Sequence, residues 1–337
     1  MNKKDLSIKY RPFKWEEIVG QDKVISILKD QVITGSFSNA YIFAGKSGIG
    51  KTTIARLFYL AINCEKKEIN PCLECIPCKN VKFSLIEVDG ATNRGIDNVR
   101  ELQKNMYYKR FGTYTCILVD ECHMLSIPAW NALLKSIEEP PEHVIWIFCT
   151  TELHKIPKTI KTRCQIYRLN PIRWTDIHKR IKQIAKKENI QLSDNTLWEI
   201  AQNADNNIRQ AIHLLEKYAL SGEVDSIEKI SNFLESLEKM DIKELWKIFD
   251  SWNENYDSIE HFINTLKYDL MNCLKLKLGL KVNASPYKIK KYQEVNISKE
   301  KLEKAFNTII EIEQKIKGVY DYNSLFLKGL LELKEEQ

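Results

Sequence analysis

The stretch Gly45-Lys46-Ser47-Gly48-Ile49-Gly50-Lys51-Thr52 fits the pattern G-x-x-x-x-G-K-[ST] at every fixed position. It follows an apolar run at 40–44 and precedes a helical pattern at 53–58, so we predict a buried strand that turns through glycines into a helix. The backbone N–H groups and the helix start of such a loop bind phosphate. We therefore expect a nucleotide site in which Lys51 neutralises the β- and γ-phosphates and Thr52 holds Mg²⁺. The alternative is a glycine-rich turn that binds nothing.

Length and composition limit the class of protein. At 337 residues the chain is too long for one compact core, and a prior of about 100 to 200 residues per domain predicts two or three domains. A net charge of +6 permits nucleic acid as a partner without requiring it. The first residues are charged and aromatic, and the longest apolar runs, 116–119 and 144–149, are far shorter than the ~20 residues of a membrane-spanning helix. We therefore expect a cytoplasmic protein without a signal peptide that does not enter a membrane.

The cysteines include a group with metal-ligand spacing. The pattern C-x7-C-x2-C-x2-C lies in the polar segment 64–78 and consists of Cys64, Cys72, Cys75 and Cys78. Nine cysteines in a chain without an export signal argue against a disulfide framework and for reduced thiols. Four thiolates at this spacing can converge tetrahedrally on Zn²⁺ and leave no open coordination position. We therefore predict a structural zinc module at 64–78; the alternative is a set of buried or incidental thiols.

Two more apolar runs are followed by polar residues that suit nucleotide chemistry. Asp120 and Glu121 follow the run 114–119, which predicts a strand buried on both faces of a parallel sheet. Downstream of a phosphate loop, Asp120 would help to hold Mg²⁺, and Glu121 would orient the water that attacks the γ-phosphate. Thr151 follows the run 144–149, where its hydroxyl would hydrogen-bond the γ-phosphate or that water. The same threonine could also simply end the strand.

Two arginines lie outside these strands. Arg163, within Thr162-Arg163-Cys164, is either ordinary surface charge or, on the rim of a ring subunit, a side chain that reaches the γ-phosphate bound by a neighbour. Arg209 lies near the start of the helical pattern 207–218, where it would touch nucleotide bound in the same chain. The predicted helix 96–108 displays a group of basic side chains. They would either lie along a DNA backbone or simply be solvated. These side chains are Arg100, Lys104, Lys109 and Arg110.

Breaks in the strand and helix patterns divide the chain into three predicted domains. Residues 1–170 form an α/β nucleotide-binding domain with a parallel sheet and include the zinc module. Residues 171–222 form a helical lid that carries Arg209. Residues 223–337 show helical patterns and no catalytic motif. After a ring-type ATPase, we expect this last region to be an oligomerisation collar; the alternative is simply a third packed core.

In their order along the chain, these motifs are similar to those of the gamma/tau family of bacterial DNA polymerase III clamp-loader ATPase subunits. The likeness covers nearly all of residues 5–222 and, more loosely, the helical remainder. Besides the phosphate loop, the cysteines, Thr162-Arg163-Cys164 and Arg209, the matching segments are Tyr10-Arg11-Pro12, Val19-Gly20-Gln21, Asp120-Glu121-Cys122-His123, Asn131-Ala132-Leu133-Leu134-Lys135 and Glu138-Glu139-Pro140-Pro141. One departure is Asn206-Asn207, where the family often has Gly-Ser, which leaves the geometry of Arg209 open.

The resemblance implies a AAA+ fold with a helical lid and collar, and a five-membered ring formed with related subunits. ATP binding would let the ring open a sliding clamp. Primer-template DNA would trigger hydrolysis and clamp release, within a DNA-directed DNA polymerase complex whose polymerising subunit is another chain. Thr151 would be the first sensor, Arg163 an arginine finger that acts in trans, and Arg209 the second sensor. The implied nucleotide contacts are Arg11, Val19, Gly45, Lys46, Ser47, Gly48, Ile49, Gly50, Lys51, Thr52, Thr53 and Arg209.

Three other functions fit parts of the sequence. Another AAA+ DNA motor, such as a branch-migration helicase subunit, would explain the phosphate loop but not the cysteine cluster or Thr162-Arg163-Cys164. A non-hydrolysing scaffold subunit would explain the zinc module and the collar, although it would not need the phosphate-loop lysine and both acidic residues. A small-molecule P-loop kinase is disfavoured by the arginine finger and by the collar.

Overall fold

The structure is a computed structural model that describes residues 5–80, 85–108, 112–221, 233–234, 236–239, 241–251, 256–282, 284, 286–316 and 321–335. These residues belong to two compact units, Met1–Ser221 and Gly222–Gln337, which are described separately. Among the described residues, we find no helix that is long and apolar enough to cross a membrane.

The first unit is built on a parallel sheet. Its strands are β1 (Ala40–Ala44), β2 (Leu85–Asp89), β3 (Thr115–Asp120), β4 (Val144–Thr150) and β5 (Gln165–Arg168). The spatial order is β2-β3-β4-β1-β5, and every neighbouring pair is parallel. Ala44 pairs with Thr150 and Asp89 pairs with Asp120, so the carboxyl ends of four strands lie at one edge. The predicted α/β fold with a parallel sheet is confirmed.

Helices cover both faces of this sheet. The helices of the first unit are α1 (Leu6–Lys9), α2 (Asp22–Thr34), α3 (Lys51–Asn63), α4 (Ile76–Lys79), α5 (Ile96–Asn105), α6 (Ile127–Glu138), α7 (Lys158–Lys161), α8 (Trp174–Lys187), α9 (Asp194–Asn203) and α10 (Ile208–Ser221). Side chains alternate between faces along a strand. Tyr41 and Phe43 therefore join one hydrophobic core with Phe58 of α3, whereas Ile42 joins a second core with Trp130 of α6.

The sequence of α6 shows why this helix begins and ends where it does. The Ser126 hydroxyl accepts a hydrogen bond from the Ala129 N–H and caps the first turn, where Pro128 is also tolerated. Pro140 stops the helix soon after Glu138. The side chains buried against the sheet recur at helical spacing and are Ala129, Trp130, Leu133, Ser136 and Ile137. This packing fixes the position of Glu138 at the end of the helix.

Helices α8, α9 and α10 follow the last strand. In α8, Ile177, Ile181 and Ile184 are buried at helical spacing. Leu197 and Ile200 of α9 belong to the same core, which is continuous with the core on one face of the sheet. The start of α10 is thereby held close to the glycine-rich loop, since Asn207 approaches Gly48.

The described part of the second unit is helical. Its helices are α11 (Ile242–Asp250), α12 (Tyr256–Lys277), α13 (Pro286–Glu294), α14 (Lys299–Ile316) and α15 (Tyr322–Glu335). Their apolar faces form a separate core. At its centre, the rings of Phe249 and Phe326 stack at 4.0 Å between centroids, and Phe262 packs edge-on against both.

A buried ion pair joins α12 to α13 within this core. Lys288 Nζ lies 3.1 Å and 3.3 Å from the two carboxylate oxygens of Asp269, and the Tyr292 hydroxyl donates a hydrogen bond to the same carboxylate. Asp269 is 1% exposed. Burial, with a smaller effect from Asp269, raises the pKa of Tyr292 far above its usual range, so the phenol keeps its proton. Removing one partner would leave an uncompensated charge in the core.

Replacement of Lys288 by methionine should therefore destabilise the second unit by about 3 to 5 kcal/mol, the cost of breaking a buried pair from one side. Hydrogen exchange of the α12 and α13 amides in the full chain measures this loss. The matched control is Lys290→Met on the same helix, since the Lys290 side chain is 78% exposed and lies 3.9 Å from Glu294. The control should change stability by less than about 1 kcal/mol. Equal losses in both variants would contradict the prediction.

Candidate nucleotide-binding site

The glycine-rich loop turns sharply between β1 and α3. Gly48 and Gly50 have φ angles of +70° and +104°, a region that glycine adopts without strain. Lys51 begins α3, is 5% exposed and donates hydrogen bonds of 2.9 Å to the carbonyls of Gly45 and Lys46. Burial lowers the pKa of Lys51, and the nearby Glu121 opposes that shift. The partners of this buried ammonium in the loop are neutral carbonyls, whereas a bound phosphate would provide a negatively charged partner.

Thr52 and Asp120 meet at the carboxyl end of β3. The Thr52 hydroxyl donates a 2.7 Å hydrogen bond to Asp120 Oδ2, and the Glu121 N–H donates to Asp120 Oδ1 at 2.9 Å. A hydroxyl and a carboxylate side by side are the oxygen ligands that Mg²⁺ prefers. The residues fit the ion: Thr52 and Asp120 would hold Mg²⁺, which would neutralise phosphate charge.

Glu121 and Thr151 are also brought together. Glu121 has a φ of +44° and begins the short turn that follows β3. Its Oε2 atom accepts a 3.3 Å hydrogen bond from the Thr151 hydroxyl, which follows β4. Because β3 and β4 are adjacent and parallel, residues that follow their carboxyl ends become neighbours. The contact places the predicted first sensor on the predicted water-orienting carboxylate.

Lys51, Thr52, Asp120 and Glu121 line a cavity whose other walls come from the N-terminal segment and from α10. The N-terminal segment contributes Arg11, Pro12 and Val19, and α10 contributes the apolar side chains of Ile208 and Ile212. The remaining lining residues are Ser7, Tyr10, Glu17, Ile18, Ser47, Gly48, Ile49, Gly50, Lys51, Thr52, Thr53, Asp120, Glu121, Ile172 and Arg209. An apolar end and a charged end suit a nucleotide, with the base at one and the phosphates at the other.

Positive charge converges on the cavity. Burial is the main cause that lowers the pKa of Arg11, and the neighbouring charges of Arg56 and Arg209 lower it further. Glu87 and Asp120 act in the opposite direction. Arg11, Lys51 and Arg209 all line the cavity, and positive charge there favours the binding of an anion. The predicted contacts Arg11 and Arg209 thus lie in the same electrostatic environment.

The departure at Asn206-Asn207 does not disturb the start of α10. Asp205 and Asn206 have φ angles of +45° and +59°, which asparagine and aspartate tolerate better than most residues. Asn207 Oδ1 accepts the Gln210 N–H at 3.1 Å and caps the helix, as a serine would. A Cβ at Gly48 would lie 1.9 Å from this same Oδ1, so the lid approaches the phosphate loop as closely as glycine allows.

Arg163 lies outside the cavity of its own chain. Its Nη1 atom donates to the Thr159 carbonyl at 2.9 Å. Its Nε and Nη2 atoms each lie 3.3 Å from an oxygen of Glu138, in a two-pronged pairing with that carboxylate. Thr151 is likewise not among the lining residues, although it reaches Glu121. The action of Arg163 on a neighbouring nucleotide stays a prediction.

The four cysteines of the predicted zinc module converge. The sulfur atoms of Cys64, Cys72, Cys75 and Cys78 all lie within 4.8 Å of one another. The Cys72 N–H donates to the Cys64 sulfur at 3.2 Å, and the Cys75 N–H donates to the Cys72 sulfur at 3.3 Å. Hydrogen bonds from the Glu74 and Cys75 N–H groups lower the pKa of Cys72 to about 6, whereas burial raises those of Cys64 and Cys78. Four sulfur donors at this separation fit tetrahedral Zn²⁺, which also favours deprotonated thiols.

Several contacts of the site were missed from the sequence. Glu138 holds Arg163, His123 lies between Glu121 and Glu152, and Asn207 touches the phosphate loop. The sequence singled out Glu138, His123 and Asn207 only as members of longer segments, and it gave no sign of their partners. Of the predicted basic residues, Arg100 lies 3.4 Å from Asp97 on an exposed face, and Lys104 is on the same helix. Lys109 and Arg110 lie outside the described residues.

The parallel sheet, the phosphate loop, the acidic pair at the end of β3 and the helical lid define a P-loop nucleotide-binding protein of the AAA+ class. A family model described as DNA polymerase III, delta subunit, matches residues 20–173, and one described as RFC1-like, AAA+ ATPase lid domain, matches residues 174–229. Among solved structures, the RuvB Holliday junction branch migration motor of Thermotoga maritima has a TM-score of 0.51 at 16% identity. The match covers 81% of this chain and 86% of that one, and it shows a shared fold.

Curated relatives identify the family within the AAA+ class. DNA polymerase III subunit tau of Bacillus subtilis is 40% identical over 226 residues, or 65% of this chain and 40% of that protein. DNA polymerase III subunit gamma of Buchnera aphidicola (Baizongia pistaciae) is 33% identical over 309 residues, or 85% of this chain and 83% of that protein. The chain belongs to the DNA polymerase III gamma/tau subunit family, as its motifs predicted. It spans 40% to 62% of the length of the first two curated relatives that it matches.

Proposed function

We propose that the chain is an ATP-hydrolysing clamp-loader subunit. The observation that carries this proposal is the meeting of Lys51, Thr52, Asp120 and Glu121 at one cavity, where Thr52 and Asp120 share a 2.7 Å hydrogen bond. A scaffold that binds without hydrolysis has no use for all four residues. The relatives named as DNA polymerase III subunits support placement in a replicative polymerase complex.

The cavity suggests how ATP would be bound. The loop N–H groups and the start of α3 would surround the phosphates, and Lys51 would move its hydrogen bonds from the carbonyls of Gly45 and Lys46 to phosphate oxygens. Arg11, Val19 and the apolar side chains of α10 would enclose the base and ribose. Arg209, at the start of α10, would contact the phosphates from the lid and couple lid position to nucleotide state.

Hydrolysis requires a water held in line with the γ-phosphate. Glu121 would orient that water through its carboxylate. The Thr151 hydroxyl already contacts Glu121 Oε2 and would hold both the carboxylate and the water in place. Mg²⁺ at Thr52 and Asp120 would neutralise the phosphate oxygens. Arg163 of one subunit would complete the site of the next, so that ATP cleavage waits for correct assembly into a five-membered ring.

The rest of the chain would serve assembly. We propose that the second unit is a collar that joins related subunits, that Zn²⁺ stabilises the cysteine module, and that ATP binding opens a sliding clamp. Primer-template DNA would trigger hydrolysis and clamp release. Another AAA+ DNA motor remains the second candidate, because the RuvB fold is shared. The cysteine cluster and the sequence relatives favour the clamp loader.

The test is ATP turnover by the reconstituted complex, with and without clamp and primed DNA. We expect clamp and DNA to stimulate turnover. We also expect Lys51→Ala to weaken ATP binding by about 100-fold, because the substitution removes hydrogen bonds from a charged donor, which contribute about 1.5 to 3 kcal/mol each. Titration of a fluorescent ATP analogue measures the affinity. The matched control is Lys182→Ala, since this side chain is 59% exposed and pairs with Asp194 on the surface. Turnover indifferent to clamp and DNA would favour the other motor, and unaltered affinity in Lys51→Ala would refute the site.

A further inference from the structure

His123 is a buried side chain to which the proposed reaction gives no role. It lies in the short turn Cys122–Met124 that follows β3, and its side chain is 8% exposed. The left-handed backbone at Glu121 reverses the chain there, so that the imidazole comes back beside the Glu121 carboxylate. A buried imidazole needs hydrogen-bonding partners, and the identity of these partners is informative.

Both ring nitrogens of His123 face a carboxylate. Nδ1 lies 3.4 Å from Glu121 Oε2, and Nε2 lies 3.2 Å from Glu152 Oε1. Nδ1 is also 3.3 Å from the Thr150 hydroxyl, which in turn accepts the Glu152 N–H at 2.9 Å. The Glu121 oxygen that faces His123 is the one that accepts the Thr151 hydroxyl. The end of β4 and the turn after β3 are therefore linked through one imidazole.

We infer that His123 is a positioning residue that fixes the carboxylate of Glu121 for its work on the attacking water, and that Glu152 holds the imidazole from the opposite side. The inference rests on the proposed ATPase function. Because Nδ1 faces Glu121 and Nε2 faces Glu152, one imidazole ring spans the two acidic side chains. Lys155 Nζ and His154 Nε2 also lie near the Glu152 carboxylate, at 2.9 Å and 3.7 Å.

The arrangement matters because Glu121 is only partly enclosed. Its side chain is 36% exposed, and its contacts at Oε2 are the Thr151 hydroxyl and His123. A long side chain held by one hydroxyl would sample other rotamers, and misplacement of a catalytic group by about 1 Å can cost 100-fold in rate. If His123 acts through Glu121, its replacement should change the rate of ATP cleavage. ATP affinity should stay unchanged, because His123 does not line the cavity.

The experiment is a double-mutant cycle in the assembled complex with clamp and primed DNA, followed by single-turnover cleavage of labelled ATP. We expect His123→Ala to slow cleavage about 10-fold, the equivalent of one hydrogen bond to a charged group, at unchanged ATP affinity. His123→Gln keeps a donor and should restore part of the rate. In a Glu121→Gln background, His123→Ala should cause no further loss, because the carboxylate on which it acts is gone. The matched control is His154→Ala, whose side chain is 76% exposed and which should stay within about twofold.

Two results would overturn the inference. One is a loss of the same factor from His123→Ala in the wild-type and Glu121→Gln backgrounds, which would mean that the two residues act independently. The other is a parallel loss of ATP affinity and cleavage, with no recovery in His123→Gln, as expected of a residue that only supports the fold. A wild-type complex that binds ATP without cleaving it would instead refute the proposed function, and the inference with it.

Discussion

In the proposed clamp-loader ring, replacement of Arg163 by alanine should lower the clamp- and DNA-stimulated ATPase rate by ~10³- to 10⁵-fold, the contribution of an arginine finger. The variant should still bind ATP normally, because Arg163 does not line the cavity of its own chain. Its guanidinium is instead held at the surface by the Thr159 carbonyl and the Glu138 carboxylate. A charged group held in a fixed position on the surface is ready to meet a partner without a large ordering cost.

A complementation experiment separates action in trans from action in cis. Arg163→Ala chains keep their own nucleotide site, and Lys51→Ala chains keep their own finger. Rings that contain both variants should recover part of the ATPase activity that either variant alone has lost, at interfaces where an intact site meets an intact finger. Arg173→Ala is the control, since this side chain is 75% exposed and pairs with Asp176 in the first turn of the helix that follows it. Mixed rings without any recovery would contradict a role in trans.

The sequence predicted the parts of the site that follow from the ends of parallel strands. The pattern at 45–52 and the apolar runs before Asp120 and Thr151 placed all three segments at the carboxyl ends of strands. In a parallel sheet those ends share one edge, and the register Ala44 to Thr150 brings them together. The convergence of the four cysteines was also predictable, because these residues lie close together in the chain.

The contacts that the sequence did not predict are made between side chains far apart in the chain. Glu138 and Arg163 are separated by 25 residues, and their pairing depends on where α6 ends against the sheet. The approach of Asn207 to Gly48 depends on how the lid packs, to which hydrophobic periodicity gives no guide. Such contacts are set by tertiary packing, whereas periodicity reports only the class of each element.

Loss of zinc should unfold the cysteine module while the nucleotide site survives. Apparent zinc-binding free energies in small modules are about 10 kcal/mol or more, and the short α4 (Ile76–Lys79) has too few residues to be stable alone. The module is further tied to the first unit by Trp15, whose indole N–H donates to the Ile69 carbonyl at 2.8 Å and whose backbone N–H donates to Asn70 at 3.0 Å. We expect Cys72→Ser combined with Cys75→Ser to release the metal and to expose the amides of 64–79 to hydrogen exchange.

The position of the module on α3 explains why ATP binding should persist. Lys51 begins α3, and Cys64 follows its last residue. A helix of 13 residues is about 20 Å long, so the proposed zinc site and the phosphate loop lie at opposite ends of the same helix. Elemental analysis should give about one zinc per chain in the wild type and in Cys164→Ser, a control cysteine outside the cluster. If the double variant lost zinc yet kept full protection at 64–79, the metal would not be a structural element. If it lost ATP affinity as well, the two ends of α3 would be coupled more strongly than this geometry implies.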